Sequence, residues 1–249
     1  MQNPNETKAL EDMGIVRPVV TRNSPKLGPL AVLVAPGGDY HTLKTRPMAL
    51  DWDIDRTLYL GNLFGKTGVF SIAGPLMGAP YAVMVLETLV AWGASRFLFY
   101  GWCGGIGEAL QPGDVIVPNA AFVDEGTSTH YGQAAGDCVQ AASANREIKR
   151  LLVDGGMAFS EGLIWTTDAI YRETPSKIRQ FQERGALGVE MEVSALFSAA
   201  RYLNVDLGAM LLVSDRVSPI RWQPGFRDPA FLESRSRLLE RIAIWCHQP

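Results

Sequence analysis

Apolar and polar positions along this chain fall into short unbroken apolar runs separated by longer stretches with helical spacing. Leu30-Ala-Val-Leu-Val34 is apolar throughout and rich in β-branched residues. Pro36-Gly37-Gly38 stops it, so the pattern predicts a buried strand running into a tight turn. The same pattern predicts strands over 68–72, 96–100, 114–117 and 207–213. Between them, apolar residues three and four apart, such as Val83, Leu86 and Val90, predict helices over 79–94, 145–153, 176–184, 193–203 and 230–245. Gly93 sits where a helix C-terminus favours glycine.

Strands that alternate with helices build a largely parallel sheet covered on both faces, so the fold class is α/β. The first 28 residues lack periodicity and read as an extended arm. Residues 29–249 show no repeat, low-complexity tract or dividing linker, and read as a single domain.

Charge narrows the partner. The net charge is -3 and the sequence pI about 5.7, so no basic field is available to hold nucleic acid or an anionic membrane. A small-molecule partner is expected. Cys103, Cys138 and Cys246 are too scattered for a disulfide framework or a zinc cage, and read as free thiols, with no metal site. The opening residues are polar, without the apolar core of a signal peptide, and no apolar helix is long enough to span a bilayer. A cytoplasmic location is therefore expected.

In sheets of this kind ligands gather at the carboxyl ends of strands, in loops that glycine keeps open. Three segments qualify: residues 36–39, residues 101–107 and Ser214-Asp215-Arg216. The glycines at 101, 104, 105 and 107 do not follow dinucleotide spacing and read on spacing alone as a tight turn. Gly188-Val-Glu-Met-Glu-Val-Ser-Ala-Leu-Phe197 carries more. Its two carboxylates stand where a helix begins, so they complement the helix dipole, or they grip the two hydroxyls of a ribose diol. Asp215 ends an apolar run and is either a cap or a proton donor to a leaving heterocycle, with Arg227 close enough in sequence to return across it. Trp92, Trp102 and Trp222 belong to the core or to an interface, and the core is the expected place for each.

The segment from Gly188 to Phe197 resembles the ribose-binding signature of the nucleoside phosphorylase superfamily, which includes uridine and purine nucleoside phosphorylases and related nucleosidases. Pro36-Gly37, Ala73-Gly-Pro-Leu-Met-Gly-Ala-Pro80, Tyr100-Gly-Trp-Cys-Gly-Gly-Ile106, Pro112-Gly-Asp-Val115, Glu125-Gly-Thr-Ser128, Thr166-Thr-Asp168 and Val213-Ser-Asp215 follow in the family's order. The resemblance implies a three-layer α/β/α fold and phosphorolysis of a purine-leaning ribonucleoside to free base and ribose 1-phosphate. Inorganic phosphate would be the co-substrate, with no other cofactor, in a homo-oligomer (a dimer or a trimer of dimers). Glu192 would hold the ribose hydroxyls and take part in catalysis, with Met191 against the sugar and Glu190 in support. Asp215 would protonate the base, within a base pocket of Cys103, Gly104, Asp168, Ile170 and Tyr171.

The phosphate or water site implied by the family falls on Gly37, His41, Arg56, Phe99 and Trp102, and here the chain departs from pattern. Phe99 and Trp102 replace the expected arginine and hydroxyl residue, and Tyr40 and His41 stand where another arginine is expected. Loss of a charge-assisted contact costs about 1.5–3 kcal/mol. Either Arg46 or Arg56 supplies the charge, or water is the nucleophile and the chain is a hydrolytic nucleosidase. A nucleoside-binding protein without turnover is the third reading, and retention of both Glu192 and Asp215 argues against it.

Overall fold

The computed structural model describes residues 14–45, 51–106, 109–141 and 144–247. Arg46, Gly107 and the first 13 residues of the predicted arm lie outside the described residues. Strand β1 (Leu30–Val34) lies between β4 (Phe70–Gly74) and β5 (Arg96–Ile106), parallel to both. Strands β2 (Ile54–Leu58) and β3 (Gly61–Lys66) extend the β4 edge as an antiparallel meander.

Beyond β5 the sheet closes on itself. β5 pairs in parallel with β10 (Asp206–Val217) and, near its end, antiparallel with β9 (Ala186–Glu190). β10 meets β6 (Val115–Asp124), β6 runs parallel to β8 (Ser160–Thr167), and β8 runs parallel to β9. Those strands form a closed circuit, to which β7 (Cys138–Gln140) and β11 (Trp222–Pro224) add short flaps on β6 and β10. The sheet is mixed, and its longest pairings are parallel.

Helices cover both faces, as the alternation predicts. Leu30, Val32 and Val34 pack against α1 (Gly37–Thr45), α3 (Asn145–Asp154) and α6 (Pro229–Trp245). Ala31 and Leu33 point the other way, into α2 (Ala79–Ala91) and α5 (Val193–Leu203). Successive residues of a strand face opposite sides, so a run apolar at every position is what a sheet buried on both faces requires. Helix α4 (Pro175–Glu183) sets Ile178 and Phe181 against Trp165 and Phe122, outside the circuit.

Two expectations need correction. Residues 101–106 are not a tight turn: β5 runs straight through them, and their glycines serve close packing. Gly104 is paired with Val189 on one side and Asp215 on the other. A Cβ there would lie 2.6 Å from Val217 Cγ2 and 3.3 Å from Asp215 Oδ2. The meander β2–β3 and strand β8 give little apolar signal, because β2 is exposed at its three middle positions and β8 is apolar only over Leu163-Ile164-Trp165. Of the three tryptophans, Trp92 and Trp102 pack against the core, and Trp222 does not belong to it. Trp222 is 60% exposed, and Trp92 and Trp102 are half-buried.

From residue 14 the arm is irregular and largely exposed, and docks through its end. Trp92 Nε1 donates to Val19 O at 3.0 Å and Arg56 Nη1 to Asn23 O at 2.8 Å, while Leu27 enters the core. Gly104→Ala forces a methyl group against Val217, between β9 and β10. The expected loss is about 1–3 kcal/mol of stability, read as a lower denaturation midpoint at unchanged slope.

Candidate functional site

β9 ends at Glu190, and α5 begins almost at once after it. Helix N-termini leave backbone N–H groups without partners, and Glu190 fills that need here. Its Oε2 accepts from the N–H of Glu192 at 2.7 Å and of Val193 at 2.8 Å. Its Oε1 accepts from Thr166 Oγ1 at 2.5 Å, and that hydroxyl oxygen in turn accepts from Ser194 N at 2.9 Å. A third carboxylate, Glu125, accepts from Ser194 Oγ at 2.9 Å and from the N–H groups of Thr127 and Ser128. This buried polar lattice joins the ends of β6, β8 and β9 to the start of α5.

Glu192 projects from this platform, and its Oε1 accepts from Gly78 N at 2.5 Å. Gly78 caps α2 with a φ of 82°, a left-handed conformation that glycine adopts without penalty. A carboxylate held at one oxygen keeps acceptor capacity on the other. Met191 is half-buried between the two acids. Burial raises the pKa of Glu192; burial and then the Glu192 charge raise that of Glu190, against the pull of its donors.

Across β5 lies Asp215. β10 carries an extra residue at Ser214, between the pairs Val213–Cys103 and Asp215–Gly104. Such a bulge re-aims the side chains beside it. Ser214 Oγ lies 2.6 Å from Asp215 Oδ1 and 3.3 Å from Cys103 O, and Trp222 Nε1 donates to Asp215 Oδ2 at 2.7 Å. Burial raises the Asp215 pKa, and those two donors hold it back. Glu173, which follows a 3-10 turn (Ile170–Arg172) after β8, is pushed up to about 7 by burial and by the Asp215 charge. It was not foreseen, because a glutamate in a polar loop looks solvated.

Just beyond the carboxyl end of β1, the carboxylate of Asp39 is fully buried in the first turn of α1. Tyr100 Oη donates to its Oδ2 at 2.8 Å and Trp102 Nε1 to the same oxygen at 2.9 Å. Arg235 Nε donates to its Oδ1 as a salt bridge, and the guanidinium carbon lies 5.6 Å from the centre of the Trp102 ring. A Cβ on Gly38 would lie 3.2 Å from Arg235 Nη2, so the guanidinium also borders the exposed Gly37-Gly38 turn. Asp39 and Arg235 stand 196 residues apart, and no sequence spacing links them.

The remaining predicted residues fall in several places. Cys103 and Gly104 lie beside Asp215 on β5, with the Cys103 thiol raised by burial, then by the Asp215 and Glu190 charges. A thiol so placed is no nucleophile. Phe99 is fully buried, with its ring 3.0 Å from where a Gly101 Cβ would stand. His41, Arg56 and Arg227 are exposed, and Ile170 and Tyr171 face solvent at 53% and 96% exposure. Asp168 Oδ2 accepts from Gly126 N at 2.9 Å, at the rim of an open cleft of about 490 Å³ between α2 and the 3-10 turn Thr127–Tyr131. Neither Glu192 nor Asp215 lines that cleft. Among the described residues no cluster of histidine, cysteine and acidic residues is fit to hold a metal ion, and no helix is long and apolar enough to cross a membrane.

A family model described as "Phosphorylase superfamily" matches residues 29–244. The chain belongs to the phosphorylase superfamily. Among its superfamily relatives is a guanosine phosphorylase of Halorubrum lacusprofundi, 29% identical over 137 residues, which are 55% of this chain and 57% of the relative. The chain thus spans under two thirds of that relative's length. A DeoD-type purine nucleoside phosphorylase of Bacillus cytotoxicus is 28% identical over 206 residues, 77% of this chain and 85% of that one. The fold matches that of AMP nucleosidase from Bacteroides thetaiotaomicron with a TM-score of 0.69 at 20% identity, over 88% of this chain and 90% of that one.

An acid whose folded pKa stands above its unfolded value keeps a proton that the unfolded chain releases. The stability it contributes is complete below the ordinary carboxylate range and is lost as pH rises through the raised one. Glu190 and Glu192 therefore make the protein less stable on going from about pH 5 to about pH 8. Glu192→Gln is expected to flatten that fall in melting temperature, and an unchanged slope would show that the pair is not its source. Glu190→Gln replaces an acceptor with a donor opposite a backbone N–H or the Thr166 hydroxyl, with an expected cost of about 2–3 kcal/mol in chemical denaturation.

Proposed function

We propose that the chain cleaves the N-glycosidic bond of a purine ribonucleoside and uses water as the nucleophile. The observation that carries the cleavage is the placement of Glu190 and Asp215 on either side of β5: Gly104 pairs with Val189, the residue before Glu190, and with Asp215. A sugar held by Glu192 and a base facing Asp215 are then spanned by the width of one strand. Asp215 gives a proton to the departing base as the carbon–nitrogen bond breaks. Water adds its oxygen to the anomeric carbon and returns its spare proton to the medium. In its ionised form, Glu192 favours the positive charge that builds on the sugar. Glu173 adds a second, half-buried acid at the base end, suited to a base that carries N–H donors.

Water is preferred because of what surrounds Asp39. The indole, phenol and guanidinium that could serve an anion there are already bound to a buried carboxylate. Asp39 and Arg235 together carry no net charge, so a phosphate dianion gains no net attraction from them and must be desolvated beside an existing negative charge. Phosphorolysis is the second reading. It is favoured by the closeness of Arg235 Nη2 to the Gly37-Gly38 turn, where a free cationic edge borders exposed backbone. On either reading the substrate is a small nucleoside, and no cofactor beyond phosphate enters the chemistry.

Incubation with guanosine, inosine, adenosine and uridine, with and without inorganic phosphate, tests both readings by chromatography of free base. Base released from purine nucleosides at equal rates in both conditions, with free ribose as co-product, is the expected result. Release only with phosphate, together with ribose 1-phosphate, replaces the first reading by the second. Absence of release from every nucleoside overturns both. Asp215→Asn is expected to lower turnover by about 10²–10⁴-fold, the range for loss of a general acid.

A further inference from the structure

Asp215 is the only group in the proposed reaction whose two oxygens are both engaged by side chains of the same hairpin. Ser214 comes from the bulge of β10, and Trp222 from β11, which returns antiparallel with Pro224 opposite Asp215. The two partners differ chemically. An indole N–H can only donate, whereas a hydroxyl donates or accepts as the situation demands. Oδ2, 2.7 Å from Trp222 Nε1, is therefore kept as an acceptor. Oδ1 faces the Ser214 hydroxyl, which lies 3.3 Å from a second acceptor, Cys103 O, and can turn toward it. Although it makes this buried contact, Trp222 is 60% exposed, and its ring centre lies 6.4 Å from that of Phe226. Core packing does not account for such a position, since most of the ring contributes nothing to the interior.

Resting on the reading of Asp215 as proton donor, we propose that Trp222 is a positioning residue: its indole N–H fixes Oδ2 as the acceptor, so that the transferable proton rides on Oδ1. With the acid protonated on Oδ1, the Ser214 hydroxyl rotates to Cys103 O. With the acid ionised after transfer, it rotates back to donate to Oδ1. Trp222 donates throughout and fixes the plane of the carboxyl group. The titratable groups that face Asp215 are Glu173, from the segment after β8, and the Cys103 thiol, on β5. Neither is a donor to Oδ2, so loss of the indole N–H leaves that oxygen without its fixed partner. A hydrogen bond to the ionised form favours that form, and its removal makes Asp215 hold its proton to higher pH.

Trp222→Phe keeps an aromatic ring against Phe226 and removes the N–H. The measurement is the pH dependence of kcat and of kcat/KM for the purine nucleoside that the panel above shows to be cleaved fastest, for the wild type, Trp222→Phe, Asp215→Asn and the double variant. Expected for Trp222→Phe are an alkaline limb moved to higher pH, a kcat lower by roughly tenfold at neutral pH, and a KM changed by less than about twofold. In the Asp215→Asn background the same substitution is expected to cause no further loss, because its only route of action is gone. A Trp222→Phe profile that superimposes on the wild type overturns the proposal, as do losses that multiply with those of Asp215→Asn. Full activity in Asp215→Asn overturns the reading of Asp215 itself, a failure separable from the other two.

Discussion

The carboxylate of Glu190 holds the arrangement together. It ends one strand, caps the helix that follows and takes the hydroxyl of Thr166 from the neighbouring strand, all while buried. Without it, the first turn of α5 would present two bare N–H groups to an apolar surround, each costing about 1–3 kcal/mol. That cap fixes where α5 begins, and thereby the direction in which Glu192 leaves it. Through Gly78, Glu192 then sets the start of α2. One acid thus orients two helices and the group proposed to hold the sugar.

A closed circuit of strands explains why so many of these contacts converge. β5 has three partner strands along its length, and at Gly104 it has neighbours on both flanks. A side chain larger than hydrogen at that position would push β9 and β10 apart, and with them Glu190 and Asp215. The glycines of β5 are a condition for bringing Glu190 and Asp215 to the two flanks of one strand, and they need no unusual backbone angle to do it.

Much of this was legible in the amino-acid sequence. Runs such as Leu30–Val34 and stripes such as 193–203 announce strands and helices because burial dictates their period. Glu190, Glu192 and Asp215 were visible because acids beside long apolar runs demand partners. Others were hidden for physical reasons. β2 shows solvent three consecutive side chains, so it has no apolar face to read. The glycines of β5 look the same whether they bend a chain or admit a neighbour. Asp39 could be seen as an acid in a turn, but its partner Arg235 is a helix residue near the far end of the chain. Trp222 was assigned to the core because large aromatics usually belong there, and only the fold shows an indole that reaches inward by its N–H alone.

The link between Asp39 and Arg235 also has a bearing on synthesis. Asp39 leaves the ribosome among the first elements of the sheet, and its counter-charge arrives with α6, the last helix. Until then, Asp39 is an acid that is too costly to bury and has no counter-charge to neutralise it. The growing chain must keep α1 loose or hydrated, so the first turn of this helix settles only when the rest of the domain is already in place.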